Sequence, residues 1–151
     1  MLVVATDGGV NGTAGMGWLI SATDGTVLTK GYGPVFGRDV TSYRAELFGI
    51  LAAITYLQKA KTYHGLPLPT ITLYCDNKSA IKQTAKIHKA TSKSSLLRGL
   101  VHPLTADYDV LNEIAVTFEA WTTPISLLHI KAHQDTKKPE QELDVPARLN
   151  I

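Results

Sequence analysis

Two dipeptides near the N-terminus, Asn11-Gly12 and Asp24-Gly25, constrain the fold of this chain more than any other feature. Asn-Gly and Asp-Gly between β-prone runs are the strongest short-range signals for hairpins, because type I′ turns need positive φ at both central positions. The runs they separate are Leu2-Val3-Val4-Ala5-Thr6, closing at Asp7-Gly8-Gly9, then Met16 to Ser21, then Thr26 to about Val35. Three consecutive antiparallel strands are the economical reading. The period then changes: Leu47, Ile50, Leu51, Ile54 and Leu57 follow helical spacing, with Thr41 or Ser42 placed as N-cap. Gly65-Leu66-Pro67-Leu68-Pro69 ends that helix and leads into a fourth strand, Thr70 to Cys75. A long intervening helix lets this strand pair parallel with the first. Asp76-Asn77 reads as a strand-to-helix junction before a short helix from Lys78 to about Lys86. Asp107 is placed to cap a further helix carrying Val110, Leu111, Ile114, Ala115 and Phe118 at the 3.6 period, and Ile125 to Ile130 reads as a fifth strand. The stretch from Ile87 to Thr105 matches no single period. The order βββαβααβ predicts an α/β fold with a mixed five-stranded sheet, three antiparallel strands followed by parallel additions, flanked by helices.

A length of 151 residues suits one domain, and 44% hydrophobic against 19% charged residues supports a real core and argues against disorder. No apolar run reaches the roughly 18 residues of a membrane helix, and Met1-Leu2-Val3-Val4 lacks the basic start of a signal peptide. The expectation is an intracellular protein without membrane contact. The single cysteine, Cys75, excludes an internal disulfide and a cysteine-rich zinc site. Net charge is only +2, but its distribution is uneven. From Asn77 to Ala106 there is no acid, while Lys78, Lys82, Lys86, Lys89, Lys93 and Arg98 all fall there. Alone, such a run is a solvated face; beside a carboxylate cluster it is a surface for a phosphate backbone.

That cluster is predicted by the ends of the elements. Asp7 closes the first strand, Asp76 closes the fourth, and Glu46 lies near the start of the first long helix, at the border of its sheet-facing side. With strands one and four as neighbours, the three acids converge. Singly, each has a plainer reading: a turn residue before Gly-Gly, a helix cap, a favourable charge on the helix dipole. Together they raise one another's pKa unless a cation neutralises them. Hard oxygen donors suit magnesium or manganese, and two such ions serve phosphodiester cleavage by activating water and stabilising the leaving oxygen.

The segments Thr6-Asp7-Gly8-Gly9, Ser42-Tyr43-Arg44-Ala45-Glu46-Leu47 and Leu73-Tyr74-Cys75-Asp76-Asn77-Lys78-Ser79-Ala80 closely resemble the catalytic segments of the ribonuclease H family. The version here resembles the ribonuclease H domain of a retroelement polyprotein, the part that follows the reverse transcriptase, and the likeness runs from Leu2 to Ile151. The resemblance implies a ribonuclease H-like fold and hydrolysis of the RNA strand of RNA–DNA hybrids with two divalent ions, Mg2+ or alternatively Mn2+. It makes Asp7, Glu46 and Asp76 the metal ligands and a covalently linked reverse transcriptase the expected partner. His129-Ile130-Lys131-Ala132-His133 is similar to the segment that carries the family's mobile histidine, so His133 is expected to move a proton or aid product release. The family's fourth carboxylate opens a closing helix a few residues after an Asn. Leu149-Asn150-Ile151 resembles the start of that segment and the chain then stops, which predicts a domain of residues 1–151 excised from a larger polyprotein and lacking the closing helix. Asp135 and Asp144 are the nearby substitutes.

For the substrate, Gly8 and Gly9 permit close approach of nucleic-acid backbone, and Asn11 and Asn77 offer hydrogen bonds to minor-groove edges or 2′-hydroxyls. Lys78, Lys82, Lys86 and Lys89 are expected on DNA phosphates beside Asp76. The absent fourth carboxylate sustains an alternative: an inactive ribonuclease H-like module that grips nucleic acid or docks on a reverse transcriptase. A third reading, an integrase- or resolvase-like enzyme, is disfavoured by Tyr43-Arg44-Ala45-Glu46, because such relatives take their last acid from a late helix.

Overall fold

The two hairpin signals do produce consecutive antiparallel strands, β1 (Leu2–Asn11), β2 (Thr13–Ala22) and β3 (Val27–Pro34). The structure is a computed structural model and describes residues 1–93 and 101–131. Both turns differ from the expected type I′. Asn11 pairs with Thr13, leaving Gly12 alone at the tip with φ 77°, and neither Asn11 nor Asp24 takes positive φ. At the second turn Gly25 takes φ 92° and its N–H donates to the Ala22 carbonyl at 3.1 Å, while the Asp24 carboxylate accepts from Thr26 N–H at 2.8 Å. Glycine alone carries the left-handed conformation, and the aspartate stabilises the loop through its side chain.

Helix α1 (Ser42–His64) follows, capped by Thr41, whose hydroxyl accepts from Arg44 N–H at 3.1 Å, and ended by Gly65 at φ 64°. Leu47, Ile50, Ile54 and Leu57 are buried against the sheet as their spacing predicts. Each such side chain contributes on the order of 1.5–3 kcal/mol. Strand β4 (Ile71–Cys75) then pairs parallel with β1, and β5 (Ile125–His129) parallel with β4. The sheet order is β3-β2-β1-β4-β5. Val4, Ile20, Ile71 and Leu73 of the sheet share one core with α1 and with Leu111 and Ile114 of α3 (Tyr108–Glu119).

Helix α2 (Lys78–Lys93) runs past the expected end near Lys86, because burial continues at helical spacing through Ala80, Ile81, Thr84 and Ile87. Asp107 stands at the N-cap position of α3 as expected, but its side chain makes no capping bond. Its backbone is left-handed, at φ 59°, and its carboxylate accepts from Arg44 Nη1 at 3.0 Å instead. A bond charged on both sides, carboxylate to buried guanidinium, outweighs a cap in which only the carboxylate is charged. Among the described residues, no helix is long and apolar enough to cross a membrane. The expected loss of the closing helix, and His133, Asp135 and Asp144, lie outside the described residues.

Candidate metal centre at the seam between β1 and β4

The parallel pairing of β1 with β4 ends at Thr6 and Cys75, so Asp7 and Asp76 are the next residues on two adjacent strands. Beyond this point β1 continues along β2 as far as Asn11, whereas the other chain turns into α2. Asp7 therefore lies within β1 and does not close it; what closes there is the seam. It is exposed, and its Oδ1 accepts from Gly8 N–H at 2.9 Å. The cap of α2 is Asn77, whose Oδ1 accepts from Ala80 N–H at 2.9 Å, so Asp76 has no capping duty. His129 Nε2 lies 3.0 Å from the Asp76 carbonyl oxygen.

Glu46 sits beyond the first turn of α1 and is only 4% exposed, so a surface charge on the helix dipole does not describe it. Its place depends on two glycines. A Cβ at Gly8 would collide with the backbone of Ala45 and Glu46, and one at Gly49 would stand 3.0 Å from the Asp7 carbonyl oxygen. Helix and strand thus meet backbone to backbone. This seats a carboxylate oxygen of Glu46, a carboxylate oxygen of Asp76 and Sγ of Cys75 within 4.8 Å of one another. The Cys75 thiol donates to Glu46 Oε2 at 3.3 Å.

Burial, the hydrogen bond to Asp76 and the charges of Asp76 and Asp7 push the Glu46 pKa up to about 9. Burial and the neighbouring Glu46 push the Cys75 thiol up as well. Among the described residues neither Glu46 nor Asp76 is paired with Lys or Arg. A thiol kept protonated is a donor and no ligand, so the donors left for an ion are carboxylate oxygens. That set fits a hard divalent cation such as magnesium or manganese.

The lysines stand apart from this cluster. Lys78, Lys82, Lys86 and Lys89 are exposed and form one stripe on α2, opposite its buried residues, with the helix opening directly after Asp76. Asn11 is exposed at the hairpin tip, and nothing lies within 4 Å of a Cβ built at Gly9. The close approach Gly8 permits is to α1.

Two residues were not singled out from the sequence. Cys75 precedes Asp76 and alternates with Leu73 and Ile71, so strand parity alone aims it at α1 and Glu46. Arg44 is buried, with Nε donating to Phe36 O at 2.7 Å, Nη1 to Asp107 at 3.0 Å and Nη2 to Asp109 at 2.7 Å. It ties the start of α1 to that of α3, and its acidic partners lie more than sixty residues away.

No protein-family model matches the sequence, and neither does any curated protein. Among solved structures, LC11-RNase H1 in complex with RNA/DNA hybrid superposes with TM-score 0.65 at 18% identity, over 93% of this chain and 92% of that one. The N-terminal RNase H domain of a Mycobacterium tuberculosis protein, solved as a fusion with maltose binding protein, gives 0.57 at 22% identity over 97% and 92%. The native protease-reverse transcriptase of prototype foamy virus gives 0.65 at 22% identity, over 97% of this chain and 20% of the viral one. With the element order, the parallel β1–β4 seam and these superpositions in hand, the fold of this chain is that of the ribonuclease H domains, retroviral ones included.

Proposed function

We propose that the chain cleaves the RNA strand of RNA–DNA hybrids endonucleolytically, using two divalent metal ions. The observation that carries this reading is the approach of Glu46 and Asp76 to within 4.8 Å where β1 parts from β4, close enough to Asp7 for its charge to act on Glu46. Structural neighbours solved in complex with RNA/DNA hybrid, among them LC11-RNase H1 and the foamy viral protease-reverse transcriptase, support the choice of substrate. Asp7, Glu46 and Asp76 would hold magnesium or manganese, which when bound supplies an activated water and a counter-charge for the leaving oxygen. Cys75 holds Oε2 of Glu46 in place by its hydrogen bond. Asn77 and the lysine stripe bind and orient the hybrid, the lysines on DNA phosphates. His133 moves a proton or aids product release. The foamy viral neighbours also support a reverse transcriptase as the covalent partner in a parent polyprotein.

The test is cleavage of an end-labelled RNA–DNA hybrid with magnesium, then manganese, with duplex DNA as control. Internal cuts confined to the RNA strand are expected. Metal-independent cleavage, or equal cutting of duplex DNA, overturns the proposal.

A further inference from the structure

Thr6 and Cys75 stand opposite each other at the last pair of the β1–β4 ladder, about 5 Å apart, with both side chains on the face covered by α1. The thiol reaches Glu46 of α1, and a Cβ at Gly49 of α1 would lie 3.6 Å from Thr6 Cβ. Cys75 is fully buried and Thr6 is 1% exposed. Thr6 Oγ1 has no hydrogen-bond partner among the described residues. Burying a hydroxyl without a partner costs free energy, and a folded chain that does so needs a reason, a bound ion being one.

The seam holds two kinds of donor. Glu46 and Asp76 offer hard carboxylate oxygens, and Cys75 offers a sulfur within 4.8 Å of both. Two donors on one zinc ion, with bonds of about 2.0–2.2 Å to oxygen and about 2.3 Å to sulfur, stand roughly 3–4 Å apart. Cys75 Sγ and Glu46 Oε2 are already 3.3 Å apart. Magnesium takes oxygen donors and leaves the thiol its proton. A thiophilic ion displaces it: the metal–sulfur bond forms as the sulfur–hydrogen bond breaks, and the proton passes to solvent. The sulfur is then an acceptor and no longer donates to Glu46. The Thr6 hydroxyl beside it is free to donate, as the outer partner that orients a metal ligand. Half-buried Asp76 and exposed Asp7 leave an ion a way in.

We propose that Cys75, Glu46 and Asp76 form a site for a thiophilic divalent ion such as zinc or cadmium, with Thr6 donating to the bound thiolate. Such an ion takes two carboxylates away from magnesium or manganese and stops cleavage. That consequence rests on the two-ion reading above; the binding does not.

The test uses cadmium, whose bond to a thiolate gives an ultraviolet charge-transfer band. Cys75 is the single cysteine of the chain, so the band reports this sulfur alone. The unaltered chain is expected to show the band, saturating at a single ion per chain. Asp76→Asn and Thr6→Val are each expected to weaken cadmium binding about tenfold or more. No band in the unaltered chain overturns the proposal. A band whose affinity Asp76→Asn leaves unchanged puts the ion on the sulfur alone and also overturns it. Unchanged affinity in Thr6→Val removes Thr6 from the site. Zinc added to magnesium-driven cleavage is expected to inhibit the unaltered chain, with about tenfold more zinc needed for Cys75→Ser, each measured against its own zinc-free rate. Cleavage untouched by zinc at saturation refutes the blocking role. A band in a chain that cleaves no hybrid overturns the hybrid reading and leaves the site standing.

Discussion

At the scale of single residues, the carboxylates at the seam differ by surroundings more than by type. Asp7 is exposed, Asp76 half-buried and Glu46 enclosed, so the cost of their repulsion falls on Glu46. Asp7→Asn or Asp76→Asn relieves that repulsion, so neither is expected to harm the fold. Either should lower hybrid cleavage by about a hundredfold or more, the scale of losing one preorganised electrostatic partner, with the circular dichroism spectrum unchanged. Full activity in either variant would remove that residue from the metal-binding set. The position of Asp76 was legible because a strand-to-helix junction announces itself locally. Asp7, expected at a strand end, lies inside β1 and stands beside Asp76 only because the β1–β4 pairing stops at Thr6 and Cys75. Cys75 was legible through strand parity, and its place in a motif segment assigned it no role. Arg44 was visible only as part of a motif; what it does depends on acids across the sequence, which no local period reports.

At the scale of elements, the seat of α1 on β1 decides where Glu46 stands. Gly8→Ala drives a methyl group into the backbone of Ala45 and Glu46, so a loss of about 3 kcal/mol in denaturant unfolding is expected. Activity should fall further than stability explains, since α1 must move off the seam. The sequence suggested close approach by Gly8 but not the partner, because helix-on-strand distance is a tertiary property.

The contact between α2 and α3 has its own signature. His88 meets Phe118 with ring centroids 4.9 Å apart, and burial holds its pKa below 6.5. The unfolded chain therefore takes up this proton first as pH falls, and stability drops below about pH 6.5. His88→Gln should flatten that part of a plot of melting temperature against pH. An unchanged slope would show that another group is responsible. The length of α2 was missed for a related reason: Ile87 and His88 are turned inward by α3, and a lysine-rich run does not advertise its buried side.

At the scale of the whole molecule, charge and carboxylates are segregated. The lysine stripe of α2 begins where the seam ends, and phosphate contacts of the kind proposed there would be sequence-independent and screened by salt. The double variant Lys82→Ala, Lys86→Ala should lower the salt slope of hybrid binding by about two, with kcat retained at saturating substrate. A large fall in kcat would place these lysines in the chemistry. Sheet order and the parallel joining of β4 were legible because a long helix between strands leaves few topologies.

The β1–β4 seam also sets the order in which a newly made chain acquires its chemistry. The β1–β2–β3 hairpins join residues close in sequence, but the seam joins residues 2–6 to residues 71–75. Closing so long a loop costs entropy before it returns contacts, so such pairings form late relative to hairpins. Glu46 reaches Asp76 only once that closure is made. A chain caught with its hairpins formed and its seam open has three paired strands but no assembled acid cluster. The three hairpin strands therefore come before the acid cluster in the order of assembly.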